Sequence, residues 1–204
     1  AQPADVPPAV QPVITVLGLR GGVGSTTLAV NLAVALRGRE GRRITLVDLS
    51  DTGGHTALHL HVKPSTTWAA LRPLGDMPDP RAVQQALMEH ESSGLLLLAA
   101  PPLLLDEGLS KLAAQNTLRA LAAPQEFVVV DACSLNESVI GTLQISSAVV
   151  IVMTDDPMSV QTTGQALAAL AKLGLDPARV WVALNHVRPV FDIPLDSLQR
   201  ALKR

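Results

Sequence analysis

The strongest constraint on the fold of this chain is the alternation of continuous apolar runs with stretches that have the hydrophobic spacing of helices. Six runs rich in Val, Ile and Leu indicate buried strands, at 13–19, 43–49, 94–100, 126–132, 148–154 and 179–185. The other stretches predict helices over 26–37, 66–71, 79–91, 110–122, 137–145, 157–173 and 195–203. Strands that are apolar on both faces and joined by helices form a parallel sheet covered on both sides. We therefore expect a three-layer α/β/α domain with a mostly parallel central sheet.

The carboxyl ends of the predicted strands carry the unusual residues of this sequence. They are the segment 21–27, Asp48, Asp131, Asp155 and Asn185. In open α/β sheets, ligands bind at that edge. We therefore expect the functional site to lie there.

A glycine-rich loop joins the first strand to the first helix, and residues 18–27 read GLRGGVGSTT. Glycines at 21, 22 and 24 let backbone N–H groups turn inward around an anion, and the helix that begins near Ser25 adds its positive end. The alternative is a plain glycine turn that only connects a strand to a helix.

Two carboxylates favour the nucleotide interpretation over the plain turn. Asp48 and Asp131 each end a buried apolar run. Carboxylates in that position coordinate Mg²⁺ beside phosphates, and the Thr26 hydroxyl is placed to join them.

Composition excludes several function classes. The formal net charge of −2 argues against a strongly electrostatic nucleic-acid binder. Aromatic residues make up 2% of the chain, with no Tyr, so platforms for stacking bases are not expected. The single cysteine, Cys133, rules out an internal disulfide framework and suits a reducing cytoplasm. We expect a cytoplasmic protein without a sequence-specific nucleic-acid partner.

These motifs together resemble the MinD/ParA group of deviant Walker-A ATPases, which have a P-loop NTPase-like fold and a loop that reads K-G-G-x-G-K-[ST]. Here the loop reads RGGVGST. Arg20 stands at the signature lysine, Ser25 at the phosphate-loop lysine and Thr26 at the Mg²⁺ hydroxyl. LVDL and FVVVDA match the two aspartate motifs at Asp48 and Asp131, and VALNHV resembles the segment near the base.

The resemblance implies ATP and Mg²⁺ as ligands. It implies nucleotide contacts from Gly21, Gly22, Val23, Gly24, Ser25, Thr26, Thr27 and Asn185, the last toward adenine. It implies Mg²⁺ contacts, through water, from Thr26, Asp48 and Asp131, and it makes Arg20, Asp48 and Asp51 the catalytic candidates.

Within that group the chain is most similar to the CpaE/TadZ branch of pilus-assembly proteins. The cues are RGGVGSTTLAVNLA, LHLHVKPSTTWAAL and GLLLLAAPP. The branch implies a degenerate loop, a homodimer, partners in pilus or secretion machinery, and polar or membrane association through those partners. The last amphipathic stretch, 193–204, is short and weakly charged, so membrane contact is expected to be at most indirect.

Two departures from the group pattern bear on catalysis. Ser25 offers a hydroxyl where a lysine would make charge-assisted hydrogen bonds worth roughly 1.5–3 kcal/mol. Ser50 replaces a carboxylate near the attacking water, with Asp51 one place later. We therefore expect an ATP-binding localisation or scaffold factor with weak or absent hydrolysis. The alternatives are a slow ATPase switch of the ParA/MinD type and a pseudo-ATPase that binds no nucleotide.

Three further groups have ordinary structural interpretations. His55, His59 and His61 are read as loop or surface histidines rather than a zinc site, since no clear fourth ligand accompanies them. Arg37, Arg39, Arg42 and Arg43 are read as a cationic helix end rather than a DNA-binding patch. The pair 155–156, before Pro157, is expected to cap the helix that follows.

The ends of the chain suggest a fragment. Residues 1–12 are Pro-rich and predict an extended linker, such as one that follows a receiver-like domain. Residues 13–204 would form the nucleotide-binding domain, truncated before the strand that closes the base pocket in the pilus branch.

Overall fold

A seven-stranded sheet forms the centre of this computed structural model, which describes residues 12–38, 42–50, 53–102, 108–122, 126–185 and 194–203. Its strands are β1 (Val13–Leu17), β2 (Arg43–Asp48), β3 (Met88–His90), β4 (Leu95–Leu98), β5 (Glu126–Ala132), β6 (Ala148–Met153) and β7 (Val180–Leu184). The strand order is β3-β4-β2-β5-β1-β6-β7. All neighbouring pairs are parallel except β3 with β4. The mostly parallel α/β prediction is confirmed.

The described helices cover both faces of this sheet. They are α1 (Ser25–Arg37), α2 (Thr56–His59), α3 (Pro80–Gln85), α4 (Lys111–Leu121), α5 (Glu137–Ile145), α6 (Pro157–Lys172) and α7 (Leu195–Leu202), with 3₁₀ turns at Trp68–Leu74 and Pro177–Arg179. In the part of the chain that the structure describes, no helix has the length and apolar character needed to cross a bilayer.

The hydrophobic core is divided into two layers by the sheet. Val16, Leu46 and Val129 pack on the side of α1, whereas their chain neighbours Leu17, Val47 and Val130 pack on the opposite side. Because successive strand residues point to opposite faces, a strand buried on both sides must be apolar throughout. This explains the unbroken apolar runs.

The register brings three strand ends together. Asp48 of β2 lies opposite Asp131 of β5, and Leu17 of β1 lies opposite Ala132 of β5. The Gly18 amide continues this pairing, donating to the Ala132 carbonyl at 2.9 Å. The glycine loop after β1 therefore starts beside both carboxylates.

The region 79–91 differs from the prediction. Asp79 caps a helix with Pro80 in its first turn, as expected, but α3 ends at Gln85. Residues 88–90 form β3, which pairs antiparallel with β4 through the turn at 91–94. The predicted helix 79–91 is therefore wrong over its second half. The helix predicted over 66–71 is a 3₁₀ turn that begins at Trp68.

Candidate functional site

The glycine loop is an open turn between β1 and α1. Gly22 and Gly24 have φ values of 83° and 90°, in the left-handed region that residues with a Cβ rarely adopt. A Cβ built on Gly21 or Gly22 would meet nothing within 4 Å. The loop backbone is therefore accessible where the motif expects an anion.

The backbone N–H groups of this loop have no acceptor within the part of the chain that the structure describes. Among the described residues, none of the N–H groups of 21–27 donates to another protein group. Helix α1 has no side-chain cap and no acidic residue in its first turn. By contrast, α4, α5 and α6 are capped by Ser110, Asn136 and Asp156. The first turn of α1 thus offers unpaired donors together with the positive end of the helix dipole.

Two close contacts, between Gly18 and Ser25 and between Gly24 and Asn185, fix the shape of the loop. A Cβ on Gly18 would lie 2.3 Å from the Ser25 Oγ, so the Ser25 side chain fills the space that Gly18 leaves. A Cβ on Gly24 would lie 2.3 Å from the Asn185 Nδ2. That Asn185 amide donates to the Val23 carbonyl at 2.8 Å. Asn185, just after β7, therefore holds the loop through its backbone, and its predicted contact with adenine stays a prediction.

Asp131 is a buried carboxylate with an unusual proton affinity. Burial raises its pKa to about 7; the negative charge of Asp48 adds to the rise, and a hydrogen bond from the Thr26 hydroxyl opposes it. Its Oδ1 has no hydrogen-bond partner among the described residues. A buried carboxylate oxygen without a partner, next to a threonine hydroxyl, is a suitable pair of ligands for a hard cation.

Asp48 is, in contrast, fully hydrogen-bonded. Its Oδ1 accepts the Ser50 amide at 2.9 Å, and its Oδ2 accepts the amide and hydroxyl of Thr56 at 3.1 and 2.9 Å. The buried indole of Trp68 donates to the Asp48 carbonyl at 2.9 Å. Asp48 therefore anchors the start of α2 to the end of β2, and its predicted Mg²⁺ contact through water remains a prediction.

Arg20 is held by an ion pair. Its guanidinium contacts the carboxylate of Asp156. Asp156 also accepts the Met158 and Ser159 amides, each at 3.1 Å, which confirms the predicted cap on α6. The Thr154 hydroxyl contributes most to lowering the Asp156 pKa, to about 2, and Arg20 adds to this. Arg20 thus has a carboxylate partner within its own chain.

A cavity of about 800 Å³ lies above the glycine loop. Besides the loop, its wall includes residues that sequence reasoning did not assign to the site: His55, Leu58, His59, Cys133 and Ser134. The available signal was the i, i+4 spacing of the two histidines directly after a strand end. No helix is predicted over 55–59 from the sequence, so the spacing alone does not place the two rings on one face.

Of the other predicted residues, Asp51 and Arg39 lie outside the part of the chain that the structure describes, and the other three arginines of the predicted cationic cluster make contacts away from this site. Arg37 ends α1 and donates to the Gly94 carbonyl at 3.0 Å, Arg42 lies over the Phe127 ring, and Arg43 pairs with Glu126. Within the described ranges, no three His, Cys, Asp or Glu side chains are grouped so that they could hold a metal ion.

Sheet order, glycine loop and paired strand-end aspartates together define a P-loop NTPase fold of the MinD/ParA type. Residues 11–176 match the family model AAA_31, described as an AAA domain, and the chain belongs to that family. A curated relative, the chromosome partitioning protein ParA of Myxococcus xanthus (strain DK1622), is 29% identical over 179 residues, covering 81% of this chain and 60% of the relative. The chain therefore spans less than two thirds of that relative's length.

Solved structures share this fold at low sequence identity. A ParA family ATPase from Chlorobium tepidum TLS matches with a TM-score of 0.81 and 20% identity, covering 95% of this chain and 82% of that one. MinD from Pyrococcus horikoshii OT3, solved as a complex with Mg-ADP, matches with a TM-score of 0.67 and 20% identity, covering 93% and 76%.

Proposed function

We propose that this domain binds ATP with Mg²⁺ on the 21–27 loop and serves as a localisation or scaffold factor in Tad/Flp-type pilus assembly, with weak or absent hydrolysis. The observation that carries the binding proposal is the set of N–H groups at 21–27 that have no protein acceptor among the described residues. Such donors at a helix start are a ready anion site. The pilus role is supported by the resemblance of three sequence segments to the CpaE/TadZ branch.

The residues present fit a magnesium ion beside the phosphates. Thr26 and Asp131 would hold it, because the Asp131 Oδ1 is buried without a partner among the described residues. When bound, the ion supplies positive charge that offsets the phosphates. Asp48 fixes the neighbouring segment through three hydrogen bonds.

Weak hydrolysis is proposed because the loop lacks a free cation. Ser25 brings no charge to the position of the phosphate-loop lysine, and Arg20 is paired with Asp156. Positive charge placed at the transferring phosphoryl group stabilises the transition state more than the ground state. The loop can therefore retain binding while losing most of the catalytic advantage.

A slow ATPase switch is the second candidate function. The similarity to a chromosome partitioning ParA favours it. The two functions differ in phosphate release and not in binding.

The test uses the two tryptophans of the chain. Trp181 is 63% exposed on β7, whereas Trp68 is buried and bonded to the backbone of Asp48. In a Trp181→Phe background, the fluorescence of Trp68 should change on titration with Mg·ATP. Thr26→Val should remove the Mg²⁺ dependence of binding, and Thr27→Val, at the exposed neighbouring position, should not.

Three outcomes separate the candidates. Saturable binding with negligible phosphate release supports the scaffold proposal. Binding with sustained phosphate release supports the ATPase switch. No binding by fluorescence or calorimetry contradicts both and indicates a pseudo-ATPase. Light scattering with and without Mg·ATP tests the proposed homodimer, and a count of surface pili after gene deletion tests the assembly role.

A further inference from the structure

The cavity above the glycine loop has two imidazoles in its wall. His55 and His59 line it together with the loop residues. They are four residues apart and belong to the same turn, with the His59 amide donating to the His55 carbonyl at 3.0 Å. Residues at this spacing lie on one face of a helix. A polyphosphate seated on the 21–27 loop would therefore share its cavity with both rings.

Within the described part of the chain, neither the His55 ring nor the His59 ring makes a hydrogen bond or an ion pair. The opposite case is His90, whose ring nitrogens bond Ser93 at 2.7 Å and Ser92 at 3.1 Å. Unpaired imidazole N–H groups remain available as donors to a ligand.

The segment that carries them is firmly attached next to the loop. Thr56, the residue after His55, bonds the Asp48 carboxylate through both its amide and its hydroxyl. Ala57 and Leu60 are buried in the core layer that also contains α1 residues. The two rings are thus carried by a turn whose backbone is fixed to the end of β2.

The cavity needs donors other than a lysine. Of the described residues that line it, none is a lysine and one is an arginine, Arg20, which is paired with Asp156. The phosphates nevertheless carry several negative charges. Side-chain N–H donors in the wall would therefore add hydrogen bonds to these charges beyond those of the loop amides.

We propose that His55 and His59 bind the terminal phosphate of a polyphosphate chain held on the 21–27 loop, as side-chain donors in a site without a lysine. This inference rests on the proposed function, because it assumes that the loop takes a triphosphate. In this proposal, the terminal phosphate lies on the side of the cavity that α2 forms.

The test measures binding of Mg²⁺-loaded ATP, AMP and inorganic tripolyphosphate by calorimetry. The variants are His55→Ala, His59→Ala and the double substitution, because alanine removes the side-chain N–H donor. His61→Ala is the matched control, because His61 lies in the same stretch but does not line the cavity. The double variant should bind ATP and tripolyphosphate at least about tenfold more weakly, the loss of one or two hydrogen bonds to charged groups. AMP binding and the His61→Ala affinities should be unchanged.

Several results would overturn the assignment. These are an unchanged tripolyphosphate affinity in the double variant, an equal loss in His61→Ala, or an equal loss for AMP. The proposed function fails separately: if the parent binds tripolyphosphate in a histidine-dependent way but not ATP, the nucleotide proposal is wrong and the histidine contact stands. If the parent binds neither ligand, both are wrong.

Discussion

At residue 25, a small alcohol occupies a position where one charge would change the behaviour of the whole site. The Ser25 side chain lies over Gly18, which has no Cβ to obstruct a longer stem. Ser25→Lys should raise Mg·ATP affinity about ten- to a hundredfold, as expected for a charge-assisted hydrogen bond. It should also raise phosphate release. Ser25→Gln, which is long but neutral, is the control, and equal gains in both variants would show that charge is not the missing element.

Asp131 should make folding stability depend on pH. The folded-state pKa is about 7 against an ordinary value of 3.8, so between these values the folded state holds a proton that the unfolded state has lost. The free energy of unfolding should therefore fall as pH rises from 4 to 7, by on the order of 4 kcal/mol. Asp131→Asn should lack this fall when urea unfolding is measured without metal between pH 4 and 8.

Thr26→Val provides the control for that measurement. The Thr26 hydroxyl stabilises the charged form of Asp131. Its removal should extend the decline in stability to higher pH. If Asp131→Asn has the same pH profile as the parent, the carboxyl titrates near its ordinary value.

At the scale of elements, replacing each of two helical glycines by alanine should have opposite effects on stability. A Cβ on Gly141 of α5 would lie 2.5 Å from the Lys111 carbonyl, where α4 begins, whereas a Cβ on Gly164 of α6 would meet nothing within 4 Å. Gly141→Ala should destabilise the protein by about 1–3 kcal/mol through overpacking. Gly164→Ala should stabilise it by about 0.5–1 kcal/mol through helix propensity. Urea unfolding of both variants measures the difference, and equal effects would contradict the close α4–α5 packing.

Elements that are determined by their own residues, without contacts from distant parts of the chain, were predictable from the sequence. Asp156 followed by Pro157 predicts the start of α6, and the run 126–132 forms β5 with the predicted bounds. The misassigned stretch 88–90 has a cause that is not local. It is a strand because the neighbouring run at 95–98 has an open edge that it pairs with. The hydrophobic spacing within a segment does not show that the segment will pair with another strand across a turn.

The candidate site likewise has parts that were predictable from the sequence and parts that were not. Asp48 and Asp131 were expected at the same edge of the sheet because parallel strands end there, and the register places them opposite each other. The Asn185 bond to Val23 and the position of His55 and His59 depend on how loops return to that edge. The paths of these loops depend on tertiary contacts, such as those between Thr56 and Asp48. The spacing of residues in the sequence does not reveal such contacts.

At the scale of the molecule, stability should decrease from the middle of the sheet toward both edges. Strands β1, β2 and β5 have neighbours on both sides, whereas β3 and β7 are the two ends of the strand order. Native-state hydrogen exchange should show amides of β5 opening only with global unfolding, and amides of β3 and β7 opening locally at much lower cost. Edge amides as well protected as those of β5 would contradict this order.

The buried carboxyl beside Thr26 would also link uptake of the proposed Mg²⁺ to acid–base balance. Near neutral pH about half of the Asp131 side chains are protonated, and a divalent cation binds the ionised form. Loading the site would therefore release hydrogen ions into solution. The heat measured on binding would then vary with the ionisation enthalpy of the chosen buffer, and titrations in phosphate and in Tris would differ by the protons released.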